Sequence, residues 1–340
     1  MSAALDRAVN PAEEATAAVR VIEPGQRVTV RVPATSANLG PGFDSLGLAV
    51  ALYDTLAVES VAHNVDGEEL VFELSGQGAL DLPRDASHLA VRAMDAAFAR
   101  LGYVRGPLRI AAENVLPHGR GLGSSASAIV AAICAANALV AEADRRDSQW
   151  ILQLASELEG HPDNVAPAIF GAVAISWQQG ERYRSVRVTP APSVIPVVAV
   201  PAVELSTETA RAMLPTTVPH QSAAANSGRT ALLIHALTQD PSLLLDGTED
   251  FLHQEYRAQA MPASAELMNA LRAEGFAAFI SGAGPTVMTL ANGAAEAARA
   301  VAFIAQLGAA ESSGGLKGGD WRVLRLEVDS EGAKVELHRR

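Results

Sequence analysis

The chain has 340 residues with 49% apolar and 19% charged side chains and a formal net charge of −12. This length suits two domains of ordinary size. The acidic chain contains no basic stripe that could neutralise nucleic-acid phosphates. Its single cysteine, Cys134, excludes an intrachain disulfide, and no stretch of about 18 apolar residues predicts a membrane span. Because the N-terminus also lacks a signal-peptide pattern, we expect a cytoplasmic protein that binds neither nucleic acid nor membrane.

The first half of the chain predicts a sheet and several helices. We interpret residues 1–25, rich in Ala and Glu, as a mobile N-terminal tail. Alternating valines at 28, 30 and 32 then predict a half-buried strand. The other predicted elements are strands at 46–61, 70–74 and 108–112, helices at 88–101, 124–141, 148–158 and 166–169, and a hairpin of strands at 172–177 and 184–188. Ser148 is expected to cap the helix that it begins.

Three prolines at positions 190, 192 and 196 mark a change in the sequence pattern and a domain boundary. The predicted domains are therefore an N-terminal domain at 26–190 and a C-terminal domain at 191–340. The second domain contains predicted strands at 197–200, 276–281, 286–290 and 321–328 and predicted helices at 207–214, 223–236, 265–274 and 294–307. This order is typical of a split β-α-β domain, in which helices cover an antiparallel sheet.

A glycine-rich loop directly before a long apolar helix is the main functional signal. The loop consists of Pro117, His118, Gly119, Arg120, Gly121, Leu122, Gly123, Ser124, Ser125, Ala126 and Ser127. Glycines let the backbone approach a ligand closely, and a helix start presents unpaired N–H groups and a positive dipole end. The serine hydroxyls could cap the helix, bind phosphate or coordinate Mg²⁺, which prefers oxygen ligands. The loop therefore predicts a site for the phosphates of a nucleotide.

Two better-known phosphate loops do not fit this pattern. The P-loop of many ATPases needs a lysine after its second glycine, and the loop contains no lysine. The dinucleotide fingerprint is Gly-x-Gly-x-x-Gly, whereas the glycines here follow the pattern Gly-x-Gly-x-Gly. This spacing argues against a nicotinamide-dependent oxidoreductase.

Three further segments are rich in small polar residues or glycine, at 33–44, 157–167 and 279–286. Together with the loop, and in this order, they resemble the superfamily of galactokinase, homoserine kinase, mevalonate kinase and phosphomevalonate kinase. The resemblance covers about residues 28–290. The runs Ser-Ala-Asn-Leu-Gly-Pro-Gly-Phe-Asp at 36–44 and Gly-His-Pro-Asp-Asn-Val at 160–165 are similar to the homoserine kinase family.

This resemblance implies a fold and a reaction. The fold would be α+β, with an N-terminal domain like ribosomal protein S5 that has a left-handed crossover, and a ferredoxin-like C-terminal domain. The reaction would phosphorylate L-homoserine with ATP and Mg²⁺, on the way to threonine. We further expect a homodimer. Two alternatives stay open: a kinase of another small alcohol, such as an isoprenoid-pathway alcohol, and a nucleotide-binding regulator without enzymatic activity.

The resemblance also assigns roles to individual residues. The loop would wrap the triphosphate, and Ser125 would bind Mg²⁺ with Glu157, with Ser124 and Glu159 as the respective alternatives. Nine residues would contact homoserine: Asn38, Asp44, His161, Asn164, Thr207, Arg211, Arg257, Gly282 and Gly284. Asp44 would hold the ammonium group, while Thr207, Arg211 and Arg257 would address the carboxylate. His88 stands where the family leads us to expect an asparagine near the adenine.

Three of these residues, Asn164, Asp44 and Arg211, are the expected catalytic residues. Asn164 stands where several superfamily members have an aspartate, and an amide cannot act as a base. We therefore expect positioning and charge stabilisation to supply most of the rate, as the loose transition state of phosphoryl transfer allows. Simpler structural roles remain open for Arg257 as a surface charge, for His161 as a helix cap and for Asp44 as a turn cap.

Overall fold

The strands of the protein form two main sheets. The computed structural model describes residues 19–64, 67–310 and 321–338. In these residues the strands are β1 (Arg20–Val21), β2 (Arg27–Ala37), β3 (Leu46–Ser60), β4 (Leu70–Gly76), β5 (Tyr103–Val104), β6 (Leu108–Asn114), β7 (Val173–Gln179), β8 (Arg182–Val188), β9 (Val194–Val200), β10 (Ala277–Ile280), β11 (Val287–Asn292), β12 (Arg322–Arg325) and β13 (Lys334–His338).

The helices cover these sheets and connect them. They are α1 (Leu89–Leu101), α2 (Ser124–Leu139), α3 (Ser148–Glu159), α4 (Val165–Phe170), α5 (Thr207–Ala212), α6 (His220–Thr238), α7 (Leu244–Gly247), α8 (Gln254–Arg257), α9 (Pro262–Ala273) and α10 (Ala294–Ala310). None of the helices in the described ranges is long and apolar enough to cross a membrane.

The first sheet is built around the long strand β3. Its order is β13-β2-β3-β6-β4, and β7 pairs with the beginning of β3 while β8 pairs with β7. Strands β4 and β6 are parallel, with α1 in the connection between them. The alternating valines of β2 are fully buried in the same core as α1–α4, as the period of two predicts. This core holds α2, and therefore the loop before it, firmly against the sheet.

The second sheet has the order β10-β11-β9-β12, and each neighbouring pair is antiparallel. Its strands β9, β10, β11 and β12 follow one another along the chain, with helices after β9 and after β11. This is the connectivity of a ferredoxin-like β-α-β-β-α-β unit. The α+β prediction is confirmed.

A shared apolar core joins the two sheets. Leu46 and Leu48 of β3 belong to one buried cluster with Val198 of β9, Phe279 of β10 and Met288 of β11. Burying a side chain of this size contributes about 1.5–3 kcal/mol. The two halves of the molecule therefore pack directly against each other through this core.

Three features of the predicted organisation are corrected. Residues 1–18 of the predicted tail lie outside the described residues, but β1 pairs with β5 and Ile22 is buried, so residues 20–22 are part of the fold. The last strand, β13, pairs with β2, so the range 191–340 does not form one contiguous domain. Asp147, rather than Ser148, caps α3, because its carboxylate accepts the N–H of Trp150 at 2.9 Å.

Candidate active site

The glycine-rich loop lies where the two halves of the molecule meet. Gly121 and Gly123 have φ angles of 72° and 70°, which favour glycine. A Cβ on Gly121 would lie 2.2 Å from the carbonyl oxygen of Ser281, and one on Gly123 would lie 2.0 Å from Thr35 Oγ1. Both glycines therefore allow the loop to press against β2 and the turn after β10. A side chain at either position would displace the loop itself.

Helix α2 begins at Ser124, directly after the loop, and has no side-chain hydrogen bond at its N-cap Gly123. Its first N–H groups and its positive dipole end are thus available to an anion. Eight residues of the loop line the cleft, namely Pro117, Gly119, Arg120, Gly121, Leu122, Gly123, Ser124 and Ser125. Ala126 and the side chain of Ser127 are buried behind them. The backbone geometry suits phosphate binding.

The Arg120 side chain does not act as the loop's phosphate ligand in this structure. Its guanidinium donates to the carbonyl oxygens of His118, Pro201 and Ala202 at 2.6–3.2 Å and pairs with Glu204 at 2.8 Å. These contacts fasten the loop to the segment that leads from β9 to α5. The Arg120 side chain thus stabilises the position of the loop, and an anion at the loop would be bound by backbone N–H groups.

The predicted pairing of Ser125 with Glu157 is wrong. Ser125 Oγ donates to Glu159 Oε2 at 2.7 Å, whereas Glu157 is exposed and pairs with Arg100 at 2.5 Å. The two glutamates are two residues apart near the end of α3 and therefore lie on different sides of it. Burial raises the pKa of Glu159, and the hydrogen bond from Ser125 opposes this rise. Of the two glutamates, Glu159 is the one that lines the cleft.

Asn164 lies opposite the loop, at the start of α4. Its Oδ1 accepts the hydroxyl of Thr35 at 2.9 Å, which fixes the direction of the amide, and Nδ2 has no hydrogen-bond partner among the described residues. The neighbouring Asp163 is buried and contacts His161 Nδ1 at 2.5 Å. Burial disfavours the charged form of His161, but the hydrogen bond to Asp163 and nearby carboxylates outweigh it and raise the pKa of the imidazole. Asp163 is therefore engaged with the histidine.

The segment between β2 and β3 carries Asp44 into the cleft. Asn38, Leu39 and Asp44 all have left-handed backbone, with φ angles of 69°, 51° and 53°. Such backbone costs about 1–3 kcal/mol for each non-glycine residue and concentrates at functional sites. The amide of Asn38 stabilises this shape, since it donates to the carbonyl oxygen of Gly282 and accepts the N–H of Asp44. Asn38 thus stabilises this segment through hydrogen bonds made by both the nitrogen and the oxygen of its side-chain amide.

The two predicted carboxylate-binding arginines are held in different ways. Arg211 forms a two-pronged ion pair with Asp44, with distances of 2.9 and 3.0 Å, and both side chains are partly exposed. Arg257 is only 2% exposed and donates to Ala210 O, Gly282 O and His253 Nδ1. Within the described ranges, no carboxylate lies within ion-pair distance of Arg257. Its buried charge is therefore unpaired, and it is not a surface charge.

The structure brings eight of the nine predicted substrate residues to one cleft. They are Asn38, Asp44, His161, Asn164, Thr207, Arg211, Arg257 and Gly282, and Glu159 lines the same cleft. Gly284 does not line it. Its carbonyl oxygen lies behind Gly121, where it supports the loop.

A second, largely apolar cavity adjoins the cleft at Gly119, Ser124 and Ser125. Two imidazoles line this cavity, and in the described residues neither His88 Nε2 nor His118 Nε2 has a hydrogen-bond partner. His88 Nδ1 accepts the N–H of Ala90, so the proton of the neutral ring is on Nε2. Burial lowers the pKa of His88 and keeps the ring neutral.

Sequence reasoning did not identify this cavity. Its apolar walls come from separate stretches of chain, and only His118, Gly119 and the serines belong to the loop motif. The one available signal was a histidine at position 88 directly before a helix with an apolar face. The buried Nε2–H of His88 is therefore available to a hydrogen-bond acceptor that enters the cavity.

Two family models match two separate parts of the chain. Residues 88–172 match the family model described as the GHMP kinases N terminal domain, and residues 227–310 match that described as GHMP kinases C terminal. The first range contains the glycine-rich loop and Glu159, and the second contains Arg257 and Gly282.

Several known proteins are similar over nearly the whole chain. The homoserine kinase of Streptomyces avermitilis is 49% identical over 309 residues, which cover 91% of this chain and 95% of that protein. The homoserine kinase of Clavibacter michiganensis is 45% identical over 313 residues, covering 92% and 95%. The solved structure of homoserine kinase from Cytophaga hutchinsonii superposes with a TM-score of 0.78 at 26% identity, covering 91% of this chain and 97% of that one. Mevalonate diphosphate decarboxylase from Staphylococcus aureus shares the fold, with a TM-score of 0.64 at 14% identity. The chain therefore belongs to the GHMP kinases, within the homoserine kinase family.

Proposed function

We propose that this protein transfers the γ-phosphoryl group of ATP to the hydroxyl of L-homoserine and releases ADP and O-phospho-L-homoserine. Family membership supports the reaction class. The observation that carries the substrate assignment is the unpaired, buried guanidinium of Arg257 in the cleft beside the phosphate loop. A buried cation without a carboxylate is costly unless a ligand supplies the anion.

The charges of the cleft suit a zwitterion. The homoserine carboxylate would be held by Nη2 of Arg257, since its other guanidinium nitrogens are already bonded, and by Arg211, whose planar fork can bind two oxygens. The ammonium group would take the place of Arg211 at Asp44. Asp44 would then bind the substrate ammonium and Arg211 would bind the substrate carboxylate, instead of binding each other. A neutral alcohol could not make this exchange, because it offers neither charge.

The nucleotide would occupy the loop and the apolar cavity together. The triphosphate would lie along the N–H groups of residues 119–125, and the purine would enter the cavity that meets the loop at Ser124. There the Nε2–H of His88 is placed to donate to a ring nitrogen of the base. His118 lines the same cavity and supplies a second unpartnered ring nitrogen.

The residues beside the phosphates suit a magnesium ion. Ser125 and Glu159 present oxygen ligands 2.7 Å apart, and Mg²⁺ binds through few protein oxygens together with phosphates and water. In the part of the chain that the structure describes, no group of three or more His, Cys, Asp or Glu side chains could hold a metal alone. This agrees with an ion that arrives with ATP. Bound Mg²⁺ would neutralise charge on the phosphates during transfer.

The chain's own residues would orient the attacking hydroxyl. Asn164, fixed by Thr35, would direct its free Nδ2 at the hydroxyl oxygen, while Asp163 is occupied by His161. The loose transition state of phosphoryl transfer does not require early removal of the proton. The proton would leave late, to the transferred phosphoryl group or to water. Positioning and the N–H groups of the loop would supply most of the catalytic effect.

A coupled ADP-release assay with L-homoserine, mevalonate and no acceptor tests this function. We expect ADP release to depend on homoserine and to be at background with mevalonate. Replacing Arg257 by Leu should weaken the use of homoserine by about 2–5 kcal/mol, the usual effect of removing one partner of a buried charge pair. Homoserine-independent ADP release, or equal rates with mevalonate, would refute the proposal.

The assembly of the protein stays a prediction. We propose a homodimer, and sedimentation velocity at micromolar concentration distinguishes it from a monomer of 35.3 kDa.

A further inference from the structure

A buried histidine lies behind the cleft, between Arg257 and the Asp44 segment. His253 is 1% exposed, and its two ring nitrogens face different partners. Nε2 lies 2.8 Å from the carbonyl oxygen of Gly40, and Nδ1 lies 3.2 Å from Arg257 Nη1. A carbonyl oxygen can only accept and a guanidinium can only donate. Both bonds therefore form only when the ring is neutral and carries its proton on Nε2.

The surroundings of His253 fix the ring in this orientation. Asp250 accepts the N–H groups of residues 252–254, which orders the turn before α8. The side chain of Gln254 accepts the N–H of Ile280 at 2.6 Å and ties the turn to β10. The ring of Phe43 packs against the imidazole with a centroid distance of 5.2 Å. Because the ring cannot turn, it can hold a partner in a fixed place.

That partner, Arg257, has its guanidinium held on two edges. Nε donates to the carbonyl oxygen of Ala210, and Nη1 is shared between His253 and Gly282. In the described part of the chain, Nη2 has no hydrogen-bond partner. The histidine thus contacts Nη1 and leaves Nη2 available to a ligand.

We propose that His253 is a positioning residue for recognition of the substrate carboxylate: its Nδ1 holds Arg257 so that the Nη2 edge faces the cleft. The Nε2 bond to the carbonyl oxygen of Gly40 fixes the tautomer that leaves Nδ1 as the acceptor. This inference rests on the proposed function, in which Arg257 binds the carboxylate of homoserine. A role in packing alone would require volume at this position and no particular acceptor.

Burial favours the neutral form of the ring and, together with Arg257 from α8, lowers the pKa of His253. Asp250, whose Oδ1 lies 3.5 Å from Nε2, and Asp44 from the segment between β2 and β3 oppose this change. A second ring proton would sit directly against the guanidinium. The histidine therefore remains a hydrogen-bond acceptor for Arg257 at neutral pH.

Two variants of similar polarity separate the two bonds of the ring. Asn at position 253 can place its Oδ1 near the former Nδ1 and still accept from Arg257. Gln can place its amide N–H near the former Nε2 and still donate to Gly40, but it offers no acceptor in the Nδ1 position. Steady-state kinetics with homoserine and homoserine amide, at saturating ATP, compare both variants with the parent enzyme. Thermal unfolding of each variant verifies that it is folded.

We expect His253→Gln to raise KM for homoserine roughly tenfold, the effect of losing one hydrogen bond to a charged group, with kcat and KM for ATP little changed. His253→Asn should retain a KM near that of the parent. With homoserine amide, which lacks the carboxylate, the Gln variant should match the parent. Equal increases in both variants, equal increases for both substrates, or no change in the Gln variant would overturn the positioning role.

An Arg257→Leu variant in the same series separates this inference from the proposed function. If Arg257→Leu abolishes the preference for homoserine over its amide while His253→Gln keeps it, only the role of His253 is wrong. If Arg257→Leu leaves that preference unchanged, the carboxylate assignment fails and the role of His253 fails with it.

Discussion

The two cavities that meet at Gly119, Ser124 and Ser125 use their polar groups in opposite ways. In the cleft the side chains are already bonded to one another, as in the Asp44–Arg211 and Ser125–Glu159 pairs. In the apolar cavity the buried Nε2 atoms of His88 and His118 have no partner among the described residues. The cleft must therefore exchange internal bonds for ligand bonds, whereas the cavity only has to gain them.

This difference has consequences for what each region contributes. Exchange in the cleft makes binding selective, because a ligand that lacks a charge leaves one internal partner unpaired. The preformed cavity can bind an aromatic base by burying apolar surface and adding one or two hydrogen bonds. Changes in the cleft should thus alter turnover and acceptor choice, and changes in the cavity should alter nucleotide affinity.

The largest effect is expected at the Ser125–Glu159 pair. Glu159→Gln keeps an oxygen that can accept from Ser125 but removes the negative charge that would hold Mg²⁺. We expect kcat to fall by about two to three orders of magnitude, because charge stabilisation supplies much of the catalysis of phosphoryl transfer. Steady-state assays across a magnesium titration measure this change.

Glu157→Gln is the matched control for that experiment. It removes the same charge two residues earlier and breaks only an exposed ion pair with Arg100, which contributes little. Activity near that of the parent is expected. A normal Glu159→Gln enzyme beside an inactive Glu157→Gln enzyme would reverse the placement of the metal.

A smaller effect is expected in the apolar cavity. His88→Ser keeps a side chain that can cap α1 but removes the Nε2–H donor. KM for ATP should rise roughly tenfold while KM for homoserine stays the same, because only a base contact is lost. Comparing these two KM values tests the division between the regions. An increase in KM for homoserine instead would place the acceptor in this cavity.

The smallest effect concerns pH. The folded-state pKa of His161 is raised, so its pairing with Asp163 stabilises the protein fully below the unfolded pKa of about 6.5. That contribution is lost as pH rises through the higher folded value. The melting temperature of the parent should therefore decline relative to that of His161→Gln over this interval. A difference in melting temperature that does not change with pH would show that folding does not change the protonation of His161.

The same comparison explains how far the sequence predicted the site. The motif residues of the cleft, such as Asp44 and Asn164, were predicted because the local runs at 36–44 and 160–165 resemble those of the homoserine kinase family. The choice between Glu157 and Glu159 failed because it depends on the rotation of α3 at its last turn. One residue of shift there moves a side chain by about 100°.

Features that depend on distant contacts could not be predicted. The pairing of β13 with β2 joins residues some 300 positions apart, and the alternation of Val335 and Leu337 within five residues gives no indication of the partner strand. The His253–Gly40 bond likewise joins residues 213 positions apart, and no local pattern distinguishes His253 from a surface histidine. Two-fold periodicity within β2 was read correctly because it is a local property.

A structure of the protein with L-homoserine and a non-hydrolysable ATP analogue tests the central claim most directly. The account predicts that the Asp44–Arg211 pair separates, with the homoserine carboxylate on Arg257 and Arg211, its ammonium on Asp44, and its hydroxyl beside Asn164 and the terminal phosphate. An intact Asp44–Arg211 pair, with the carboxylate bound away from Arg257, would contradict it.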